Sequence, residues 1–399
     1  MGVQRNVKKT STPLLSGIGL LAILPTLLVS PHARADAEDP LNLIAGVSVV
    51  HDDNLFRKPS GSEKSDVITV STVGLKYYKP YSLQRFELEA DLQDHRYNTF
   101  DYNNFTALNY AAAWRWSLTP YLHGNLTSDR KESLNSFSDS PDSGTRNLRT
   151  DENQRFDGVL DVSGSWRILG GVAQSTRTNQ ASTPELGTRL NTAEGGLRYD
   201  FPSGSSFSYI ARKGQGKYFN QSQSISSTFS DNRFDQIENE VRMIWPITAK
   251  TTIDARAAHI SRTHDHASEL DYAGNVGNIN VNWAVTEKTS LNASLGRELS
   301  SYQSENSNVV STDRFSIGPL WQITEKTALR GRYDYAQRDY RGSVSDRVDH
   351  LRTAMIALEW KALRTLTVSA SLQDERRNSN VPGQDFKSMQ AGIAAQLAF

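Results

Sequence analysis

Glu87, Glu89 and Asp91 occupy alternate positions of one short stretch, and Glu238, Glu240 and Arg242 repeat that spacing later in the chain. In an extended backbone, residues two apart point the same way, so each set offers its charges to one side of a sheet. Arg256, Arg330 and Arg332 stand in the same alternating context. Rows of carboxylates and guanidiniums that face water either neutralise one another or sort polar solutes by charge. Hydrolytic chemistry has no comparable footing. Serines are plentiful, but none sits in a Gly-x-Ser-x-Gly elbow, and the eight histidines are scattered. His264-Asp265-His266 points two imidazoles one way, yet no third ligand is identifiable, so the segment reads as a solvated loop. The expectation is no catalytic residue, no metal and no cofactor.

The elements that carry these rows are long strands. Phe86, Leu88, Ala90 and Leu92 alternate with Arg85, Glu87, Glu89, Asp91 and Gln93, which would scatter apolar groups all round a helix but gives a strand one greasy and one wet face. The code recurs with Ile237, Val241 and Met243 against Glu238, Glu240 and Arg242, and with Leu329, Tyr333 and Tyr335 against Arg330, Arg332 and Asp334. It is organised by a repeat. Trp283-Ala-Val-Thr-Glu-Lys-Thr-Ser-Leu291 returns 38 residues later as Trp321-Gln-Ile-Thr-Glu-Lys-Thr-Ala-Leu329, with looser copies starting at Trp116, Trp245 and Trp360. Each copy ends one alternating run in an aromatic, turns within a few polar residues and starts another. Two long runs per period, with short turns at one end and longer variable loops at the other, describe a transmembrane β-barrel. Propeller blades would need four shorter strands per period.

Residues 1–35 are of another kind. Arg5, Lys8 and Lys9 precede an apolar run from Leu14 to Val29, and Ala33-Arg34-Ala35 offers small residues for cleavage, which reads as a signal peptide ahead of one barrel domain over 36–399. The whole chain has 44 basic and 44 acidic side chains; without Arg5, Lys8, Lys9 and Arg34 it is slightly acidic, which gives no support to nucleic-acid binding. No later segment approaches the apolar length of a membrane helix. The chain has no cysteine.

Loops are expected over 52–65, 133–153 and 217–232, and a turn at Gly170-Gly171, where alternation is weakest. Eight short turns imply sixteen strands, and the first and last bring the count to about 18, an even number with both termini periplasmic. Trp116, Trp245, Trp283, Trp321, Trp360 and the terminal Phe399 are read as an aromatic girdle at the lipid interface. Glu87, Glu89, Asp91, Glu238, Glu240, Arg242, Arg256, Arg330 and Arg332 are read as lumen-lining. Outer-membrane lipid is the expected surrounding.

Asp52-Asp53-Asn54-Leu55-Phe56-Arg57 follows the first strand. It reads either as a recognition loop or as a loop start that folds over the barrel mouth, with Phe56 packing and Arg57 pairing with a carboxylate. Together with Arg338-Asp339-Tyr340-Arg341-Gly342, Arg347-Val-Asp349 and Asp374-Glu-Arg376-Arg377-Asn-Ser379-Asn380, it resembles the EpsL-like outer-membrane barrels associated with exopolysaccharide biosynthesis and exosortase systems. The terminal strand Met389 to Phe399 resembles the signal that hands such barrels to the barrel-assembly machinery. The resemblance implies a conduit or accessory for a polysaccharide across the outer membrane. The alternatives are a diffusion porin for small solutes and a plugged barrel with a surface-binding or structural role.

Overall fold

The computed structural model describes residues 40–138, 144–181, 187–219, 233–265, 268–304, 307–341 and 346–399. Residues 1–39, with the expected signal peptide, and His266 lie outside them. The alternating runs become β1 (Leu41–Asp52), β2 (Asp66–Tyr81), β3 (Gln84–Tyr97), β4 (Phe105–Thr119), β5 (Leu122–Leu134) and β6 (Leu148–Ser163). They continue as β7 (Trp166–Asn179), β8 (Gly187–Asp200), β9 (Ser206–Phe219), β10 (Arg233–Thr248), β11 (Thr251–His264) and β12 (Tyr272–Ala284). The last are β13 (Thr289–Ser304), β14 (Ser307–Gln322), β15 (Thr327–Arg341), β16 (Val348–Lys361), β17 (Leu366–Ser379) and β18 (Phe386–Ala398).

Each strand pairs antiparallel with its chain neighbours, and β1 pairs with both β2 and β18, so the 18-stranded sheet closes on itself. Closure satisfies the backbone without a free edge, the condition for strands to stand in lipid. Leu43 and Phe399 exchange two backbone hydrogen bonds of 2.9 Å, which fastens the last residue of the chain into the seam.

Register fixes which side chains share a face. Val73, Leu92, Leu108, Ile237, Leu372 and Ile393 point outward, and Val73 and Ile393 are each 67% exposed, part of an apolar outer face larger than soluble monomers ordinarily show. The other face carries the Glu, Asp, Arg, Ser, Asn and Gln partners. No helix among the described residues is long and apolar enough to cross a membrane, which says nothing of a β-barrel.

The repeat proves to be a turn device. In the copies beginning at Trp245, Trp283 and Trp321, the threonine three residues on accepts the backbone N–H two residues further: Lys250 to Thr248 at 3.1 Å, Lys288 to Thr286 at 3.2 Å and Lys326 to Thr324 at 3.2 Å. Thr119, three after Trp116, accepts from Tyr121 and Leu122. A hydroxyl that satisfies the turn's own N–H explains why the aromatic and the threonine recur together.

The turn expected at Gly170-Gly171 is absent. Both glycines lie inside β7, and the chain reverses at Gly164, whose φ of 39° suits the reversal. Gly171 serves close approach instead: a Cβ there would come within 2.9 Å of the Phe156 carbonyl oxygen on β6.

Candidate functional site

All nine side chains read as lumen-lining stand on the inward register. Glu87, Glu89 and Asp91 alternate along β3, Glu238, Glu240 and Arg242 along β10, Arg256 faces Arg242 from β11, and Arg330 and Arg332 lie on β15. Every one has a partner. Glu89 meets Lys76 at 2.8 Å, Asp91 accepts from Asn109 at 3.0 Å, Arg242 pairs with Asp254 at 2.7 Å, Arg330 with Glu359 at 2.7 Å and Arg332 with Asp334 at 2.6 Å.

The remaining candidates belong to a belt running from β3 round to β11. Arg85 and Arg115 both hold Glu87, at 2.6 and 2.9 Å, and Arg115 donates to Asn125 at 3.0 Å. Asn125 donates to Asp157 at 2.9 Å, Arg155 joins Asp157 at 3.0 Å and also holds Glu194, and Arg212 takes the other side of Glu194 at 2.7 Å. Arg212 then reaches Glu238 at 2.7 Å and Glu240 at 2.6 Å, and Arg256 closes on the same two carboxylates at 2.5 and 2.6 Å. Its five arginines match its five carboxylates, so the belt carries no net charge. Glu240 is 3% exposed and locked, whereas Glu89 is 59% exposed and Arg332 52%, so the latter two are paired but open to solvent. Arg155, Glu194 and Arg212 were not among the expected residues: they lie in the stretch where alternation is weakest, and Arg155 reaches Glu194 two strands away, while Arg212 meets it from the adjacent strand.

The mouth is built by the loops at the other end from the short turns. The 53–65 loop folds inward: Phe56 is 3% exposed and meets Phe100 and Phe137 edge to face at 4.6 and 4.9 Å, and with Leu55 it packs on the inward faces of Tyr97, Phe105 and Ala107. Asp52, Asn54 and Arg57 fasten it. Arg57 pairs with Asp52 and with Glu375 of β17, both at 2.9 Å, and holds φ at 54°. Burial alone would lower the pKa of this guanidinium, but Glu375 and Asp52 outweigh it and hold it above its ordinary value. Asp52 also accepts from Ser388 and Gln390 of β18, each at 2.8 Å, and Asn54 donates to the Lys387 carbonyl at 2.9 Å. Asp53 accepts from the Met389 N–H at 2.7 Å.

The two ends of the chain singled out by sequence meet here. Asp349 is fully buried beneath Arg347 at 2.6 Å and the Tyr340 hydroxyl at 3.3 Å. Arg377, 4% exposed, lies 4.9 Å over the Phe386 ring and donates to the Ser138 carbonyl at 2.6 Å. Motifs hundreds of residues apart thus form one buried polar patch, because closure sets β1 beside β18. A second mouth cluster joins Tyr218, Phe234, His264 and Arg262, with Arg262 3.9 Å over the Phe234 ring. His264 faces Asp271 and Tyr218 and has no metal-ligating set around it among the described residues.

Trp245, Trp283, Trp321 and Trp360 are exposed on the outer face close to the short turns, and Phe399 ends the same outward row. Trp116 departs from them. It is buried flat on the wall, stacked 5.6 Å from Phe156, above Gly124 and Gly158, where a Cβ at Gly124 would run into its ring.

Residues 226–399 match the sequence family described as "Putative beta-barrel porin 2". No curated protein matches the chain. Among solved structures it is similar to Pseudomonas aeruginosa OpdK with vanillate, with a TM-score of 0.48, 11% identity, and coverage of 90% of this chain and 99% of that one. It is also similar to a BenF-like porin from Pseudomonas fluorescens Pf-5 (0.49, 12%, 90% and 98%) and to P. aeruginosa OccK2 (OpdF) in complex with glucuronate (0.49, 12%, 90% and 98%). The protein is a β-barrel of the bacterial outer membrane. The match to a porin family overturns the expected conduit for exopolysaccharide and the EpsL-like association with it. The segments that carried that resemblance fasten the mouth.

Proposed function

We propose that this barrel is a diffusion channel for small polar solutes, oriented with its short turns and both termini toward the periplasm. The observation that carries the reading is the set of charged side chains that face the interior of a closed wall and are still half exposed, Glu89, Arg242, Arg330 and Arg332 among them. Such groups demand water, so the lumen below the mouth is wet. The porin match over 226–399 agrees.

The nine expected lumen residues act in this reading as a polar lining and not as a single binding site. Because the belt from Arg85 to Arg256 is internally neutral, discrimination by net charge is weak, and size is set at the mouth by the folded-in 53–65 loop. The four exposed tryptophans and Phe399 anchor the wall at the interface, and the Phe399 row is what the barrel-assembly machinery would read.

The test is the current through planar bilayers containing the full chain. Stepwise ionic conductance, partly blocked by small sugars or carboxylates, is the expected result. The Phe56 cluster favours a second reading, a barrel shut at its mouth with a structural role, and the absence of any current would decide for it.

A further inference from the structure

The ladder between β12 and β13 is cut short. It runs from Ala284↔Ser290 to Gly277↔Arg297 and stops, although β12 continues to Tyr272 and β13 to Ser304. Beyond the stop, 273–276 pair with β11 and 298–301 pair with β14, each on its far side only. The ladder between β4 and β5 is also short, ending at Tyr110↔Arg130, but side chains take over there. Asn109 Oδ1 accepts the Glu132 N–H at 2.9 Å, and Arg130 reaches the Leu108 carbonyl. Between 273–276 and 298–300 no backbone or side-chain hydrogen bond crosses among the described residues. What fills the gap is apolar: the Leu299 side chain lies against Gly274, where a Cβ would meet its Cδ1 at 2.7 Å.

The position of this seam matters. On the outer face the apolar row ends at Ile279 and Leu295, and the next outward groups are polar: Asn275, bonded to His259 at 2.9 Å, and Arg297, bonded to Asp313. The seam therefore opens where lipid gives way to the polar interface. Just beneath it lies a groove of about 610 Å³, bounded by Ile279, Leu295, Phe315 and Tyr335. On the lumen side, Arg314 of β14 is exposed and forms no ion pair or hydrogen bond among the described residues, unlike the arginines of the belt. Its lateral neighbours are Gly296 and Ala336, and Glu298, one rung beyond, is exposed and also unpaired.

We propose that the seam is a lateral portal through which an amphipathic anion, an apolar chain ending in a carboxylate, passes between the outer leaflet and the lumen. The chain lies in the Ile279–Phe315 groove, Leu299 swings aside, and Arg314 receives the carboxylate, which a cation without a competing partner does best. This rests on the channel reading above.

The experiment uses the full chain in planar bilayers, with decanoate as the probe and acetate as the control that lacks an apolar chain. Decanoate produces transient blocks of the ionic current that acetate does not. Leu299→Ala raises their frequency about tenfold by clearing the seam, and Arg314→Gln shortens their duration about tenfold by removing a charge-assisted contact. Ionic current with decanoate no more effective than acetate, or with blocks indifferent to both substitutions, overturns the portal and leaves the channel standing. No ionic current at all overturns the channel reading and the portal with it.

Discussion

Arg57 donates Nε–H to Glu375 Oε2 at 2.9 Å, a bond between residues 318 apart in the chain that barrel closure makes neighbours. The same guanidinium holds Asp52, which is 2% exposed. Arg57 keeps a left-handed backbone, φ 54°, that costs a non-glycine residue about 1 kcal/mol or more, so the surrounding bonds must over-determine it. Arg57→Ala leaves Asp52 buried without its cation, at a cost of about 3–5 kcal/mol. Amide exchange over 53–65 then accelerates and unit conductance rises, with the strand signal in circular dichroism unchanged. Undiminished protection of that loop would show that the Phe56 cluster holds it unaided.

Arg212 is the hinge of the belt, since it alone touches Glu194, Glu238 and Glu240. Arg212→Gln leaves those carboxylates one cation short in a wall where Glu240 is 3% exposed. The expected outcome is a reversal potential in a KCl gradient shifted toward cation selectivity, and a barrel destabilised by about 3 kcal/mol. An unchanged reversal potential would mean that the belt does not face the conduction path.

Glycines in the wall are not equivalent. A Cβ at Gly124 would run into the Trp116 ring and the Asp157 carbonyl, whereas one at Gly195 would meet nothing within 4 Å. Gly124→Ala should cost about 1–3 kcal/mol through overpacking, and Gly195→Ala close to nothing. Thermal unfolding in detergent compares the two directly, and equal midpoints would contradict the placement of Trp116 on the wall.

The threonine turns make a quieter prediction. Removing the hydroxyl that accepts the Lys288 or Lys326 N–H, by Thr286→Ala or Thr324→Ala, should cost about 0.5–1.5 kcal/mol each. The two turns are a full hairpin apart, so the double variant should lose the sum. A loss far above the sum would mean that the turns fold as one unit.

The two-faced rows were legible in the sequence because lipid and water impose opposite demands on neighbouring residues, and Glu87 to Asp91 or Glu238 to Arg242 could be assigned to one side from spacing alone. Pairing was not legible. Arg155 meets Glu194, and Arg57 meets Glu375, only once registers and closure are fixed, and neither follows from local pattern. Gly170-Gly171 misled because glycine marks both reversals and close approach. Trp116 misled for the converse reason: its own type is that of an interface residue, and what lays it down is the absent side chain of Gly124 on the next strand.

The turn device also bears on how such a wall is enlarged. The copies at Trp283 and Trp321 are near-identical, adjacent around the ring and capped by their own threonine, so each turn is fixed by residues of its own hairpin. Tandem duplication of one such unit adds two staves at once and keeps the first and last able to meet in opposite directions. Aperture is therefore inherited in discrete steps, and two nearly matching neighbours are what a recent step would leave behind.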